Sequence, residues 1–238
     1  MSSSVILDCL QSAPMQVVGE FVWGSNATFL VELECGGERV EAVYKPVRGE
    51  RPLWDFPPES LAGREVAAHL LSEALGWGLV PPTVWRADGP AGAGSLQWRV
   101  PHDPEQHYFT FSSEARQGLR PTALFDLLAN NADRKGGHIL IDANDAGKFW
   151  LIDQGLCFHA EPKLRTVVWD FSGEAIPDKL LTDLERLQAE IDVLREALKT
   201  YLNAQELDAL QVRLGGLLQG RVYPAPPEDV RAVPYPLV

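Results

Sequence analysis

The apolar and polar positions in the first 100 residues predict short antiparallel strands. Between residues 16 and 47, apolar runs such as Thr28–Leu33 and Val40–Tyr44 are separated by turn residues. Two further strands are predicted at residues 83–86 and 95–100, on either side of a glycine-rich turn. The first part of the chain is therefore expected to be rich in β-structure.

Helical periodicity is confined to a few segments. Residues 63–75 place apolar side chains on one wide face, which predicts a helix that ends at Gly76 and carries Glu65 in its first turn. A later stripe recurs at alternating spacings of four and three, which predicts one long helix packed on its own lobe: Leu180, Leu184, Leu187, Ile191, Leu194 and Leu198. Asn203 and Glu206 form an expected capping pair for a last helix.

Residues 48–62 are too rich in proline and charge for regular structure. Trp54 and Phe56 are expected to anchor this loop by burial. The proline-rich segment 223–238 is expected to be extended. A proline-containing break after residue 100 predicts three parts: a β-rich lobe at 1–100, a helical lobe at 101–222 and a tail at 223–238.

One polar stretch interrupts the second part of the chain. A helix predicted at 121–129 leads into Asn130-Asn-Ala-Asp-Arg-Lys-Gly-Gly-His138, and a β-hairpin is predicted at 139–152. The hairpin would bring Asp133, which precedes its first strand, to the same end as Asp153, which follows its second strand.

Two converging carboxylates have a clear chemical use. Mg²⁺ prefers oxygen ligands and is commonly held by one or two carboxylates and by substrate phosphates. A second carboxylate can orient or accept a hydroxyl proton during phosphoryl transfer. The structural alternative is a polar turn in which Asp and Asn side chains cap backbone groups.

Two weaker signals lie in the β-rich part. Gly24, Ser25 and Asn26 form a turn that could cover a phosphate, because small residues let backbone N–H groups approach an anion. An ordinary hairpin turn has the same composition. Lys45 stands at a strand end before Pro46, where it could pair with a phosphate or a carboxylate, or lie in solvent.

Charge and composition narrow the possible partners. The 238 residues carry a net charge of −12, which argues against a nucleic-acid backbone as partner. The chain contains no apolar run long enough for a transmembrane segment, and its N-terminus lacks the basic region of a secretory signal. Three unclustered cysteines predict neither a zinc site nor a disulfide framework and are typical of a reducing cytoplasm, so a cytoplasmic location is expected.

Three short motifs resemble a known family. They are Val43-Tyr-Lys-Pro46, Asn131-Ala-Asp-Arg134 and Ile152-Asp-Gln-Gly155. Together they resemble the phosphatidylinositol 3-/4-kinase-like family of the protein-kinase-like fold. Within that family the chain is similar to type II phosphatidylinositol 4-kinases, more so to uncharacterised bacterial phosphatidylinositol-kinase-like proteins, and more distantly to HipA-type kinases. The resemblance extends over roughly residues 20–160.

The resemblance implies a two-lobed α+β fold and a phosphotransferase that uses ATP and Mg²⁺ to modify an unknown hydroxyl acceptor, which could be a lipid, a protein or a small molecule. It implies these roles: Asp133 and Arg134 in the catalytic loop, Lys45 and its partner Glu65 at the nucleotide phosphates, Gly24, Ser25 and Asn26 in the covering turn, and Asp153 with His138 at the metal.

One position departs from the family pattern. His138 stands where the family usually has an asparagine that binds a second metal ion, and imidazole is a poorer ligand for Mg²⁺ than an amide oxygen. Two alternatives to a kinase therefore stay open. One is a pseudokinase or nucleotide-binding scaffold without transfer activity. The other is a metal-binding or interaction protein that binds no nucleotide. Transfer of AMP is a variant of the enzyme hypothesis.

Overall fold

The N-terminal part is built on one antiparallel sheet. The structure is a computed structural model that describes residues 2–22 and 26–238. The sheet has the strand order β1-β2-β3-β5-β4. Its strands are β1 (Met15–Glu20), β2 (Phe29–Cys35), β3 (Glu38–Pro46), β4 (Thr83–Gly89) and β5 (Gly92–Trp98). The predicted strands are therefore present. Lys45 lies near the end of β3, opposite Ser95 of β5.

A short helix, α1 (Ser3–Ser12), covers one face of this sheet. Its buried face, which includes Leu10, packs against Val31, Leu33 and Leu96 of the strands. The packing brings Cys9 of α1 next to Cys35 of β2, and the two form a disulfide with a Cα–Cα distance of 5.7 Å. This disulfide contradicts the expectation of reduced, unpaired cysteines. The pairing was missed because it depends on how α1 packs against the sheet. The inference of a reducing compartment loses its support from the cysteines.

Helix α2 (Leu61–Leu75) follows the proline-rich loop and ends at Gly76, as predicted. Glu50, which lies outside the helix, caps its N-terminus. The Glu50 carboxylate accepts hydrogen bonds from the backbone N–H groups of Leu61 and Ala62 at 3.1 and 2.8 Å. In the loop, Phe56 is buried as expected, but Trp54 is 93% exposed, so its predicted role as a buried anchor is wrong.

The C-terminal part is mainly helical. Its elements are α3 (Ser113–Gln117), α4 (Arg120–Ala129), the hairpin β6 (Ile139–Asp142) and β7 (Asp145–Leu151), and then α5 (Asp178–Ala189), α6 (Ile191–Leu198) and α7 (Ala204–Gly220). Short 3₁₀ turns lie at Val47–Gly49, Tyr108–Thr110 and Gly136–His138. The predicted helix before the polar loop and the predicted hairpin after it are both present.

The long leucine stripe is confirmed, but it spans two helices. All six stripe residues are buried in the core of the C-terminal part. The regular helix is interrupted at Glu190, which ends α5 and precedes α6. Asn203 and Glu206 cap α7 reciprocally, as predicted, at 3.0 Å in both directions.

The two largest apolar cores lie mainly in different parts of the chain. One contains α1 and the five-stranded sheet, and the other contains the C-terminal helices. Helix α2 contributes Ala67, Leu71 and Leu75 to the second core, although its sequence lies within the first hundred residues. This helix therefore couples the sheet to the helical part. The predicted domain boundary after residue 100 stays a prediction.

The segment from Tyr223 to the C-terminus contains neither helix nor strand, and it packs along the polar loop. The carbonyl of Leu237 accepts a hydrogen bond from Gly136 N–H at 2.7 Å. The carbonyl of Ala232 accepts hydrogen bonds from Thr166 N–H and from the Trp169 indole, both at 3.1 Å. No helix in the described part of the chain has the length and apolar character needed to cross a membrane.

Helix α6 gives a matched test of the second core. Leu194 is 4% exposed, whereas its neighbour Val193 is 73% exposed. Leu194→Ala should lower the free energy of unfolding by about 2–5 kcal/mol, because it removes buried methyl groups and leaves a cavity. Val193→Ala should change it by less than about 0.5 kcal/mol. Chemical denaturation of both variants measures the difference, and equal effects would contradict the packing of α6.

Candidate functional site

The site is centred on a lysine that contacts two carboxylates. Lys45 Nζ forms an ion pair with Glu65 Oε1 of α2 and a second one with Asp153 Oδ1 at 2.9 Å. Burial alone would lower the pKa of Lys45, but the charges of Asp153 and Glu65 outweigh burial and raise it. The lysine is therefore fully protonated at neutral pH. The structure brings together the three residues that the sequence placed on separate elements.

Glu65 links the lysine to the segment around Asp153. Its second oxygen, Oε2, accepts a hydrogen bond from the backbone N–H of Gln154 at 2.9 Å. Glu65 is the fifth residue of α2, because the helix begins at Leu61, so its predicted position in the first turn is wrong. Glu65 is 2% exposed, and His69 and Ser72, which form a polar stripe with it along α2, are buried too. The stripe faces the protein interior.

Asp153 has a backbone conformation that is uncommon for a residue with a side chain. Its φ is +58°, in the left-handed region, directly after β7 and Ile152. Its side chain is half exposed, and the charge of Lys45 holds its pKa well below the usual range. A strained, ionised and accessible carboxylate at the end of a strand is typical of a functional position.

His138 lies beside Asp153. Its Nε2 is 3.4 Å from Asp153 Oδ2, and its carbonyl accepts a hydrogen bond from Ile152 N–H at 3.0 Å. Burial lowers the pKa of His138 to about 4, so the imidazole is neutral at pH 7. A neutral imidazole keeps a lone pair that a metal ion can accept.

Asp133 occupies the loop before the hairpin. Asn131 Oδ1 accepts a hydrogen bond from the Asp133 backbone N–H at 2.9 Å, and Lys135 Nζ lies 3.0 Å from Asp133 Oδ2. Burial raises the pKa of Asp133, the charge of Lys135 opposes this, and the nearby charge of Asp153 adds to the increase. The two aspartates are therefore electrostatically coupled.

Arg134 points into the protein interior and has no exposed surface. Its guanidinium forms an ion pair with Asp126 of α4 at 3.0 Å and donates to the carbonyl of Ile152 at 2.9 Å and to Gln154 Oε1 at 2.8 Å. Thr166 Oγ1 donates to the same aspartate at 2.9 Å. These contacts hold the loop and the Asp153 segment together. The predicted catalytic role of Arg134 stays a prediction.

Three polar residues of this buried network were missed by sequence reasoning: Asp126, Gln154 and Thr166. Asp126 offered a signal, because it is a charged residue within an apolar helix, Ala123–Ala129. Thr166 offered none, since its partner lies 40 residues away. The main chain of Arg165 also supports the polar loop. Its N–H donates to the carbonyl of Asn131 at 2.8 Å, and its carbonyl accepts from Arg134 N–H at 2.9 Å.

The predicted phosphate-covering turn falls mainly outside the described residues. Gly24 and Ser25 belong to the part of the chain that the structure does not describe. Asn26 is described, and its Oδ1 accepts a hydrogen bond from Arg51 N–H at 2.8 Å. It lies against the loop that follows β3, and its predicted role in nucleotide binding stays a prediction.

The described residues contain no cluster of three or more His, Cys, Asp and Glu side chains in metal-binding geometry. The side chains that could hold a cation are the half-exposed carboxylate of Asp153 and the imidazole of His138. A carboxylate supplies the oxygen ligand that Mg²⁺ and Mn²⁺ prefer. The donor set therefore suits a cation whose remaining ligands come from a bound phosphate.

A relative in Mycobacterium tuberculosis, Protein Rv2133c, is 40% identical to this chain, and the match includes 95% of the chain and 93% of the relative. No family model matches the sequence.

Solved kinase structures share the fold. The Golgi casein kinase with Mn/ADP bound matches 91% of this chain and 74% of its own, with a TM-score of 0.59 and 16% identity. Hydra Fam20 with sugar matches 91% of this chain and 87% of its own, with a TM-score of 0.56 and 16% identity. The Helicobacter pylori proinflammatory kinase CtkA matches 90% and 94%, with a TM-score of 0.53 and 11% identity. The predicted α+β, protein-kinase-like fold is confirmed.

The buried ion pair gives a test of the loop's support. Asp126→Asn should lower the free energy of unfolding by about 3–5 kcal/mol, because it leaves the Arg134 guanidinium buried without a countercharge. Asp133→Asn makes the same chemical change in a partly exposed pair and should alter stability by less than about 1 kcal/mol. Urea unfolding compares the two. A larger loss for Asp133→Asn would contradict the structural role given to Asp126.

Proposed function

The chain belongs to the same family as Protein Rv2133c of Mycobacterium tuberculosis, and we propose that it is an ATP-dependent phosphotransferase that acts with a divalent metal ion. The acceptor is a hydroxyl compound. The proposal rests on one observation above all: Lys45 contacts both Glu65 and Asp153. In protein kinases, a lysine–glutamate pair and a metal-binding aspartate must both be in place before phosphate is transferred.

Each residue of this group has a role that its surroundings support. Lys45 is held protonated by two carboxylates and would place a positive charge at the phosphates. Glu65 is buried and orients the lysine through one oxygen, while its other oxygen fixes Gln154 N–H. The motifs around Lys45, Asp133 and Asp153 resemble those of phosphatidylinositol 3-/4-kinase-like proteins, which supports the same assignment.

Asp153 would hold the metal ion, with His138 beside it. Their neutral imidazole and ionised carboxylate can both donate lone pairs at pH 7. When bound, a divalent cation neutralises charge on the phosphoryl group that is transferred. The sequence predicts Mg²⁺, and Mn²⁺ is the natural comparison, because the similar Golgi casein kinase was crystallised with Mn/ADP.

Asp133 would act on the acceptor. Its partly buried carboxylate has a raised pKa, which makes it a better proton acceptor than an exposed aspartate. Asp133 takes the hydroxyl proton as the acceptor oxygen bonds to the γ-phosphorus of ATP, the bond from that phosphorus to the bridging oxygen breaks, and ADP leaves. Arg134 is a positioning residue in this proposal, since it is fully buried.

A nucleotide-binding protein without transfer activity is the second candidate. The observation that favours it is His138, a weaker ligand for Mg²⁺ than the asparagine usual at this position. His138 Nε2 lies 3.4 Å from Asp153 Oδ2, and a proton on that nitrogen would compete with a metal ion for the carboxylate. The two candidates differ in one respect, because only the enzyme turns over ATP.

Turnover is measured with ATP labelled at the γ-phosphorus, with Mg²⁺ or Mn²⁺ present, by following label on the protein itself and in released phosphate. Asp133→Asn should slow turnover by about 10²–10⁴-fold, because it removes the proton acceptor. Asp153→Asn should slow it by at least about 10²-fold, because it removes the charge that holds the metal. The control is Asp145→Asn, the same change on the exposed hairpin turn, which should leave turnover unchanged.

The outcome distinguishes the hypotheses. Turnover by Asp153→Asn at the wild-type rate would contradict the assigned site. Transfer of label from α-labelled ATP would show that the protein transfers AMP instead of phosphate. Nucleotide binding without turnover under any of these conditions would favour the second candidate.

A further inference from the structure

An extended segment that follows the β6–β7 hairpin lies directly beside the polar loop. Thr166 of this segment pairs with Arg134 of the loop in a parallel β-bridge. Arg165 N–H donates to the carbonyl of Asn131 at 2.8 Å, and the Arg165 carbonyl accepts from Arg134 N–H at 2.9 Å. Paired extended chains lie about 4.8 Å apart. The residues that precede the bridge on its two sides, Arg165 and Asp133, are therefore neighbours.

The side chains of these two neighbours lie on the outer face of the bridge. Successive side chains of an extended chain point to opposite sides. Thr166 and Arg134 point inward, because both contact the buried carboxylate of Asp126. Arg165 and Asp133 precede them and point outward, and the arginine is exposed while the aspartate is partly exposed. Arg165 thus stands beside the proposed proton acceptor on the side that is open to solvent.

The charge of Arg165 acts on the carboxylate of Asp133. Burial raises the pKa of Asp133, and the positive charges of Lys135 and Arg165 oppose this increase. Lys135 Nζ is paired with Asp133 Oδ2 at 3.0 Å, and Lys163 Nζ is paired with Asp55 Oδ2 at 3.0 Å, whereas Arg165 has no ion pair with any described residue. Arg165 therefore supplies an uncompensated positive charge here, in a chain whose net charge is −12.

The main chain of the segment has little capacity to bind a ligand. The N–H groups of Arg165 and Val167 donate to carbonyls of the polar loop at 2.8 and 3.2 Å, and Thr166 N–H donates to the carbonyl of Ala232 at 3.1 Å. A peptide that adds to a strand edge is held by such main-chain groups. Because they are occupied, recognition at this position falls to the Arg165 side chain, which favours a small acceptor over an extended peptide.

We propose that the hydroxyl acceptor is a small compound with an anionic group, a phosphate or a carboxylate, which Arg165 binds while the hydroxyl lies against Asp133. This inference rests on the proposed phosphotransferase function and names the class of its substrate. A guanidinium suits both anions, because its planar N–H donors form two parallel hydrogen bonds to a pair of oxygens. Arg165 is the specificity-determining residue, and the anion fixes which hydroxyl of the acceptor reaches Asp133.

Three arginine variants separate charge, geometry and background effects. Arg165→Gln removes the charge and leaves the segment in place, because the contacts with the polar loop are made by the backbone of residue 165. Arg165→Lys keeps the charge but lacks the paired donors of a guanidinium. The matched control is Arg39→Gln, which makes the same change in charge at the start of β3, where the side chain is 82% exposed.

The experiment measures transfer of γ-label from ATP by the full chain, with Mg²⁺ or Mn²⁺, to two matched sets of acceptors. One set is glycerol, glycerate and glycerol 3-phosphate, and the other is glucose, gluconate and glucose 6-phosphate. In at least one set, an anionic member should have a kcat/KM at least about tenfold above that of its neutral parent, because hydrogen bonds to charged groups are the stronger ones. Comparison of the carboxylate and phosphate members identifies the preferred anion.

The ratio of the anionic to the neutral kcat/KM reports on Arg165. Arg165→Gln should abolish this ratio, Arg165→Lys should retain part of it, and Arg39→Gln should leave it unchanged. Phosphate released to water without any acceptor is measured in parallel, as an independent test of ATP turnover.

Three results would overturn the inference and leave the phosphotransferase standing. They are equal kcat/KM values for anionic and neutral members in both sets, a preference that persists in Arg165→Gln, and release of phosphate to water without transfer to any anionic acceptor. Absence of ATP turnover under every condition would contradict the proposed function itself, and the inference would fall with it.

Discussion

The ion pairs of Lys45 join three segments that lie far apart in the sequence. Lys45 comes from the end of β3, Glu65 from the second turn of α2, and Asp153 from the residue that follows β7. Glu65 accepts a hydrogen bond from Gln154 N–H through its second oxygen. One buried carboxylate therefore positions both Lys45 and Gln154, the residue that follows Asp153. Because α2 also belongs to the core of the helical part, displacement of this helix would separate the charges. The proposed function depends on this arrangement.

A second, fully buried pair supports the opposite side of the site. Arg134 and Asp126 have no exposed surface, and the arginine also binds Ile152 O and Gln154 Oε1. Gln154 is thus held from both sides, by Glu65 at its backbone and by Arg134 at its side chain. The Lys45–Glu65 pair and the Arg134–Asp126 pair therefore both contact Gln154, the residue that follows Asp153. The left-handed backbone of Asp153 is maintained by these surrounding contacts, as expected for strain at a functional position.

Local patterns predicted much of this fold, whereas long-range pairing was not predictable. The β3 strand, the end of α2 at Gly76 and the capping of α7 follow from alternation, a C-terminal glycine and a capping box, all of which are local signals. The Cys9–Cys35 disulfide was missed because it depends on how α1 packs against the sheet. The motif around Arg134 is a local signal, but the direction of the Arg134 side chain depends on Asp126, which no spacing rule connects to it.

The central claim is that the Lys45–Glu65–Asp153 group binds a nucleotide together with a metal ion. Thermal unfolding with and without ATP and Mg²⁺ tests it most directly. A ligand present at about 100 times its Kd stabilises a protein by about 2.7 kcal/mol, which for a chain of this size raises Tm by roughly 5–10 °C. We predict a rise in Tm that requires ATP and metal together and is lost in Lys45→Met. An unchanged Tm with millimolar nucleotide and metal would contradict it.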